Sequence, residues 1–250
     1  MSRIKYHIFV FLACFSSLLF AQQGAVEDAD MLALRLQERV NQAKIETDRG
    51  DYYNALNNLD KALEISKTIE DVISQGTILT KMARVRYLVG ETDKGNVALG
   101  KAVELQRENN DYGNLAVSYN IQGVVYSTNE KYQLALDYYK SAKNLFEQED
   151  LEEYISEVTL NEAKAYIALG RYEEAKTQLE KTIIIAKKYE QRRVLSSALI
   201  QSGKVSSALN SNDLALSQVE EGLSIAKTYT IVENINDAYL VMDINGNVLK

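Results

Sequence analysis

Small, apolar and polar positions recur along this chain with a constant spacing of 40 residues. A small residue stands at Ala43, Ala83, Gly123, Ala163 and Gly203, and seven positions later comes a turn residue at Gly50, Gly90, Glu130, Gly170 and Asn210. Five further on, small residues return at Ala55, Gly95, Ala135, Ala175 and Ala215. Next come an apolar column, Leu59, Leu99, Tyr139, Leu179 and Val219, and a third small column, Ala62, Ala102, Ala142, Thr182 and Gly222. A repeat of this length is the signature of stacked supersecondary units. Small columns let two antiparallel helices approach, and Leu or Tyr opposite fills the groove between them. Each helix pair then exposes an apolar edge that only the next pair can cover, which predicts an all-α solenoid. Ala43, Ala55, Ala83, Gly123, Ala135, Ala163, Ala175, Gly203 and Ala215 are its predicted packing positions. About five repeats are expected over 28–229, divided as 28–69, 70–109, 110–149, 150–189 and 190–229.

The columns resemble the tetratricopeptide repeat. Tyr119, Gln122, Gly123 and Tyr126, followed by Tyr132, Ala135, Tyr139 and Ala142, carry the resemblance best. The next copy adds Ala163, Tyr166, Gly170, Tyr172, Ala175 and Leu179. The resemblance implies a right-handed superhelical solenoid of antiparallel helix pairs that binds peptides or partner proteins. Two departures stand out. The family period is 34 rather than 40, and its closing Pro is missing because the chain has no Pro at all. Longer helices and polar connections such as Lys67 to Asp71 would accommodate both.

Composition then removes most catalytic chemistry. The 250 residues include one His and one Cys, His7 and Cys14, and both lie in an N-terminal stretch with the parts of a secretory signal. Arg3 and Lys5 form a basic start, Ile8 to Phe20 an apolar run, and Ala21 a small residue for cleavage. The run is too short to span a bilayer comfortably. Cleavage near Ala21 predicts an exported, periplasmic or extracellular product. An uncleaved leader would instead anchor the chain at the inner membrane, and a lipoprotein reading at Cys14 fits the spacing poorly. The mature chain would then hold neither His nor Cys. That excludes an imidazole base, a Ser-His-Asp triad, a thiol nucleophile, a disulfide and a thiolate metal site. Without Arg3 and Lys5 it would carry 26 basic against 35 acidic side chains, a formal charge of −9 that argues against nucleic acid as a partner. Neighbouring carboxylates at Glu152-Glu153, Glu173-Glu174 and Glu220-Glu221 diverge by about 100° on a helix and read as solvated surface rather than a glycosidase pair. No phosphate loop, dinucleotide fingerprint or metal-ligand cluster appears, so neither a cofactor nor catalysis within this chain is expected.

The register also picks out a stripe on the first helices, the ones that line the concave face in the resembled family. Just after the small residue come Lys44, Arg84, Val124, Lys164 and Lys204. Three residues before those, on the same helical face, come Asn41, Lys81, Ile121, Asn161 and Gln201. Four of the five repeats thus set a cation beside an amide or a second cation. Amides can hydrogen-bond an extended backbone and cations can hold carboxylates. Asn41, Lys44, Lys81, Arg84, Asn161, Lys164, Gln201 and Lys204 are the candidate groove for an acidic peptide or protein tail. The competing explanation is a solvated helix face. Tyr126, Tyr139, Tyr166 and Tyr172 occupy packing columns and read as core.

After residue 229 the register fails, since Asp243 and Lys250 occupy the next small and turn positions. An apolar run, Asn245-Gly246 and Val248-Leu249 give a hairpin signal. Residues 230–250 therefore read either as a capping helix or as the start of a domain that resembles a PAS sensory domain. Three functions stay open: an exported interaction module, the sensory region of a PAS-containing histidine-kinase type protein with its catalytic part beyond residue 250, and an assembly scaffold.

Overall fold

The structure is a computed structural model that describes residues 28–242 of the 250. The leader and the Asn245-Gly246 hairpin signal lie outside the described residues. Within them the chain is built from helices alternating with tight turns. Helix α1 covers 28–48, followed by α2 (Tyr52–Thr68), α3 (Val72–Leu88), α4 (Thr92–Glu108), α5 (Tyr112–Thr128) and α6 (Tyr132–Gln148). Then come α7 (Glu152–Ala168), α8 (Tyr172–Lys188), α9 (Arg192–Ala208), α10 (Asn212–Thr228) and the shorter α11 (Val232–Leu240).

The 40-residue period has a simple physical origin. Each helix from α2 to α10 has 17 residues, and each connection between helices has three. The extra length relative to the resembled family lies in the helices. Lys67, expected in a polar connection, belongs to α2, and the connection is only Ile69 to Asp71. Its central residue takes a left-handed conformation, φ 56° at Glu70. The Glu70 amide donates to the Lys67 carbonyl at 3.2 Å, and the Asp71 amide reaches back to Ser66 at 2.8 Å. That pair of bonds is the Schellman motif, which satisfies carbonyls left open at a helix end. Asp71 then caps α3, its carboxylate accepting the Ser74 amide at 3.0 Å. One residue therefore ends one helix and starts the next, which is why no Pro is needed to stop either.

Turn residues within the repeats show φ of 78° at Gly50, 79° at Gly90, 59° at Glu130, 71° at Gly170 and 62° at Asn210. A second set, between repeats, escaped the sequence reading: Glu70, Asn110, Asp150, Glu190 and Thr230 all have φ between 54° and 56°. None of these five is Gly, so no punctuation marks them in the sequence.

The described residues form two compact units, one up to Asn109 and one from Asn110 onward. In the first, Leu59, Ala62, Ile78 and Met82 bury against one another with Ala43 and Ala55. In the second, one core joins Ala135, Tyr139, Ala142, Phe146, Ile155 and Val158, and another joins Leu160, Ala163, Ala175, Leu179, Ala198 and Val205. All nine predicted packing residues are buried. Tyr139 is 2% exposed, whereas Tyr126, Tyr166 and Tyr172 are half-buried beside the cores. Tyr126 also stacks on Tyr138 with centroids 5.2 Å apart.

Candidate functional site

Each side of the second unit has a different character. The first helices touch in succession, α5 to α7, α7 to α9 and α9 to α11, while no comparable contact joins α6 to α8 or α8 to α10 among the described residues. Hydrogen bonds between neighbouring first helices help to tie that row together, two of them made by Asn side chains. Asn161 Nδ2 donates to Asn120 Oδ1 at 3.0 Å, and Asn234 Nδ2 donates to the Arg193 carbonyl at 2.8 Å. The second helices are splayed outward.

The eight candidate groove residues fall in two groups. On the first unit, Asn41 and Lys44 lie on α1, and Lys81 and Arg84 lie on α3. Asn41, Lys44 and Arg84 are exposed, and Lys81 is half-buried. Burial holds the Lys81 ammonium below its ordinary pKa, and the positive charges of Arg84 and Lys44 lower it further. These three cations therefore share one electrostatic neighbourhood. Asn41 instead accepts a hydrogen bond from Gln37 Nε2 at 2.9 Å on its own helix.

On the second unit, Asn161 and Lys164 lie on α7, and Gln201 and Lys204 lie on α9. Lys164 and Lys204 are exposed, with Asn161 and Gln201 half-buried beside them. Asn161 is committed to Asn120, an amide pair between adjacent inner helices, so its role includes holding α5 to α7. In the third repeat, Ile121 is half-buried and Val124 is exposed, an apolar interruption of the polar stripe. The carboxylate pairs are exposed. Glu152 is held by Lys188 and by the Tyr189 hydroxyl at 2.8 Å, and Glu174 by Arg171 at 2.8 Å, which are surface ion pairs. Among the described residues no cluster of acidic, His or Cys side chains could hold a metal, and no helix is long and apolar enough to cross a membrane.

One polar group within the fold escaped the sequence reading. Glu162 immediately precedes the packing residue Ala163 and is only 5% exposed. It is the one charged residue in a column otherwise made of Gln42, Met82, Gln122 and Ser202, and that difference was the available signal.

The family model described as Tetratricopeptide repeat matches residues 157–188, most of the α7–α8 pair. Residues 157–188 are thus a tetratricopeptide repeat. A second family model, described as Anaphase-promoting complex subunit 5, matches residues 42–122 and again 188–238 of its helical repeats. No curated protein matches this repeat protein. Solved structures match it closely in fold. BtubC (BKLC) from P. vanneervenii has 19% identity and a TM-score of 0.68, over 88% of this chain and 90% of that one. A Rap protein complexed with Competence and Sporulation Factor has 18% identity and a TM-score of 0.74, over 85% of this chain and 61% of that one. A Signal Transduction ATPase with Numerous Domains from Pyrococcus horikoshii, with a tetratricopeptide repeat sensor, has 18% identity and a TM-score of 0.67, over 80% of this chain and 31% of that one. These likenesses fix the fold, an all-α repeat of antiparallel helix pairs.

Proposed function

We propose that this repeat protein is a non-enzymatic interaction module that holds an acidic peptide or protein tail against its first helices. The observation that carries the reading is the cluster of Lys44, Lys81 and Arg84: partial burial depresses the Lys81 pKa, and repulsion by Arg84 and Lys44 depresses it further. A carboxylate placed there would relieve that repulsion and form charge-assisted hydrogen bonds. The Rap protein of the same fold is solved in complex with a factor, which supports ligand capture by such repeats. The leader supports export, with Ala21 as the cleavage point; N-terminal sequencing of the secreted product checks it.

The test is binding of a fluorescein-labelled peptide of alternating Glu and Ser, followed by anisotropy. Lys81→Glu with Arg84→Glu should abolish binding at about 20 mM salt, and the wild type should lose affinity near 300 mM, where screening is strong. Equal binding by wild type and variant would defeat the reading. A second reading, the sensory part of a longer signalling protein, is supported by the likeness to a repeat sensor. Reading the coding strand past codon 250 separates the two.

A further inference from the structure

Between α6 and α8 the splayed second helices leave a cavity of about 340 Å³ floored by α7, within the second unit and apart from the groove residues. Its size lies at the low end for small-molecule sites, about 300–1,000 Å³. Two buried acceptors meet there without a hydrogen-bond partner, Glu162 Oε2 and Gln178 Oε1. Buried polar atoms are nearly always satisfied, so such a pair marks a place where donors are supplied from outside the fold. Lys143 Nζ approaches Glu162 Oε2 to 3.6 Å, close enough to offset charge but beyond hydrogen-bond reach. Burial pushes the Glu162 carboxyl above its ordinary pKa, against the opposing pull of Lys143 and Lys181.

The mouth has a different chemistry. Lys140, Arg171 and Asp137 line it and are exposed, and Arg171 is already bonded to Glu174. Lys140 is therefore the cation at the mouth best able to receive an anion. The cavity is acceptor-rich at its floor and cationic at its rim.

We propose that the cavity between α6 and α8 binds an amino-acid-like zwitterion, its ammonium donating to Glu162 and Gln178 and its carboxylate meeting Lys140. A free cation could pair with Glu162 but would leave Lys140 at the mouth without an anion, and a simple anion would leave both buried acceptors unpaired. Only a ligand with a donor end and an anionic end answers both. The site stands independently of the acidic-peptide reading, because none of its residues belongs to the first-helix stripe.

Calorimetric titration of the full chain with each of the 20 common free L-amino acids tests it, using probe concentrations up to about 10 mM. At least one should bind saturably. N-acetylation or amidation of that probe should weaken binding at least tenfold, as should Glu162→Gln, Gln178→Leu or Lys140→Glu. Lys61→Ala, on the first unit, should leave it unchanged. Circular dichroism reports whether each variant folds; should Glu162→Gln fail, Gln178→Leu and Lys140→Glu decide. Absence of saturable binding by every probe would overturn the proposal and leave a cavity filled by water. Binding that survives Gln178→Leu and Lys140→Glu would overturn it as well.

Discussion

Replacing Gly203 by Ala adds a single methyl group where α9 and α10 cross backbone to backbone at close range. A Cβ at that position would stand 2.8 Å from the Ala215 carbonyl oxygen and 3.3 Å from the Val219 amide nitrogen, and would also strike the Val219 side chain. Two of those obstacles are backbone, so they cannot rotate aside. Gly222 faces the same crossing from α10, where an added Cβ would meet the Ser196 carbonyl at 2.9 Å, and Ser196 Oγ already donates to the Gly222 carbonyl at 2.7 Å. Accommodating the methyl must therefore push α9 and α10 apart. Overpacking of this kind costs about 1–3 kcal/mol, against a gain of roughly 1 kcal/mol from the better helix propensity of Ala. Gly100→Ala is the matched control, since Gly100 is exposed within α4 and an added Cβ there meets nothing within 4 Å. It should stabilise by the propensity gain alone, roughly 1 kcal/mol. The same chemical change thus gives outcomes that differ by about 1–3 kcal/mol. Amide exchange followed by mass spectrometry reads each variant in its own repeat, which suits a fold stabilised by nearest neighbours. Relative to Gly100→Ala in its segment, Gly203→Ala should lose about five- to 150-fold in protection over α9 and α10. Equal stabilisation by both substitutions would refute the close-packing argument.

The turns and the buried carboxyl yield further expectations. Gly170→Ala should destabilise by about 1–2 kcal/mol through its φ of 71° alone, because an added Cβ there meets no atom within 4 Å. Thr230→Gly should do the reverse by a similar amount, since a β-branched residue is poorly suited to φ 55°; urea unfolding midpoints check both signs. Glu162 has a folded pKa raised by burial, so its contribution is most favourable below its unfolded pKa and is lost as pH rises through the folded value. Glu162→Gln should remove that dependence, and its stability advantage over wild type should shrink as pH falls from 7 towards about 4. An advantage that stays constant over that range would mean that Glu162 does not titrate in the fold.

The helix pairs were legible because one physical demand, close approach of antiparallel helices, leaves the same small residue at the same place in every copy. Gly123 shows how direct that link is: an added Cβ there would lie 2.6 Å from Tyr139 Cδ1, and Tyr139 is the apolar residue the facing column supplies. The connections between repeats were illegible for the opposite reason. Glu70, Asp150, Glu190 and Thr230 occupy the same left-handed turn as Gly50, Gly90 and Gly170, yet backbone hydrogen bonds of the Schellman kind fix them whatever the side chain. The stripe of cations was visible as a column, but not the electrostatic linkage of Lys44, Lys81 and Arg84, which needs two helices brought side by side. Glu162 lies further still from what a pattern can show. It follows the packing register without serving it, and its meaning depends on Gln178 and Lys143 arriving from the two flanking helices. In a repeat fold the shared columns encode the scaffold, so the chemistry peculiar to this chain is to be sought where one copy departs from the others. Glu162 is such a departure, and it sits in the stretch 157–188 that matches the tetratricopeptide-repeat model.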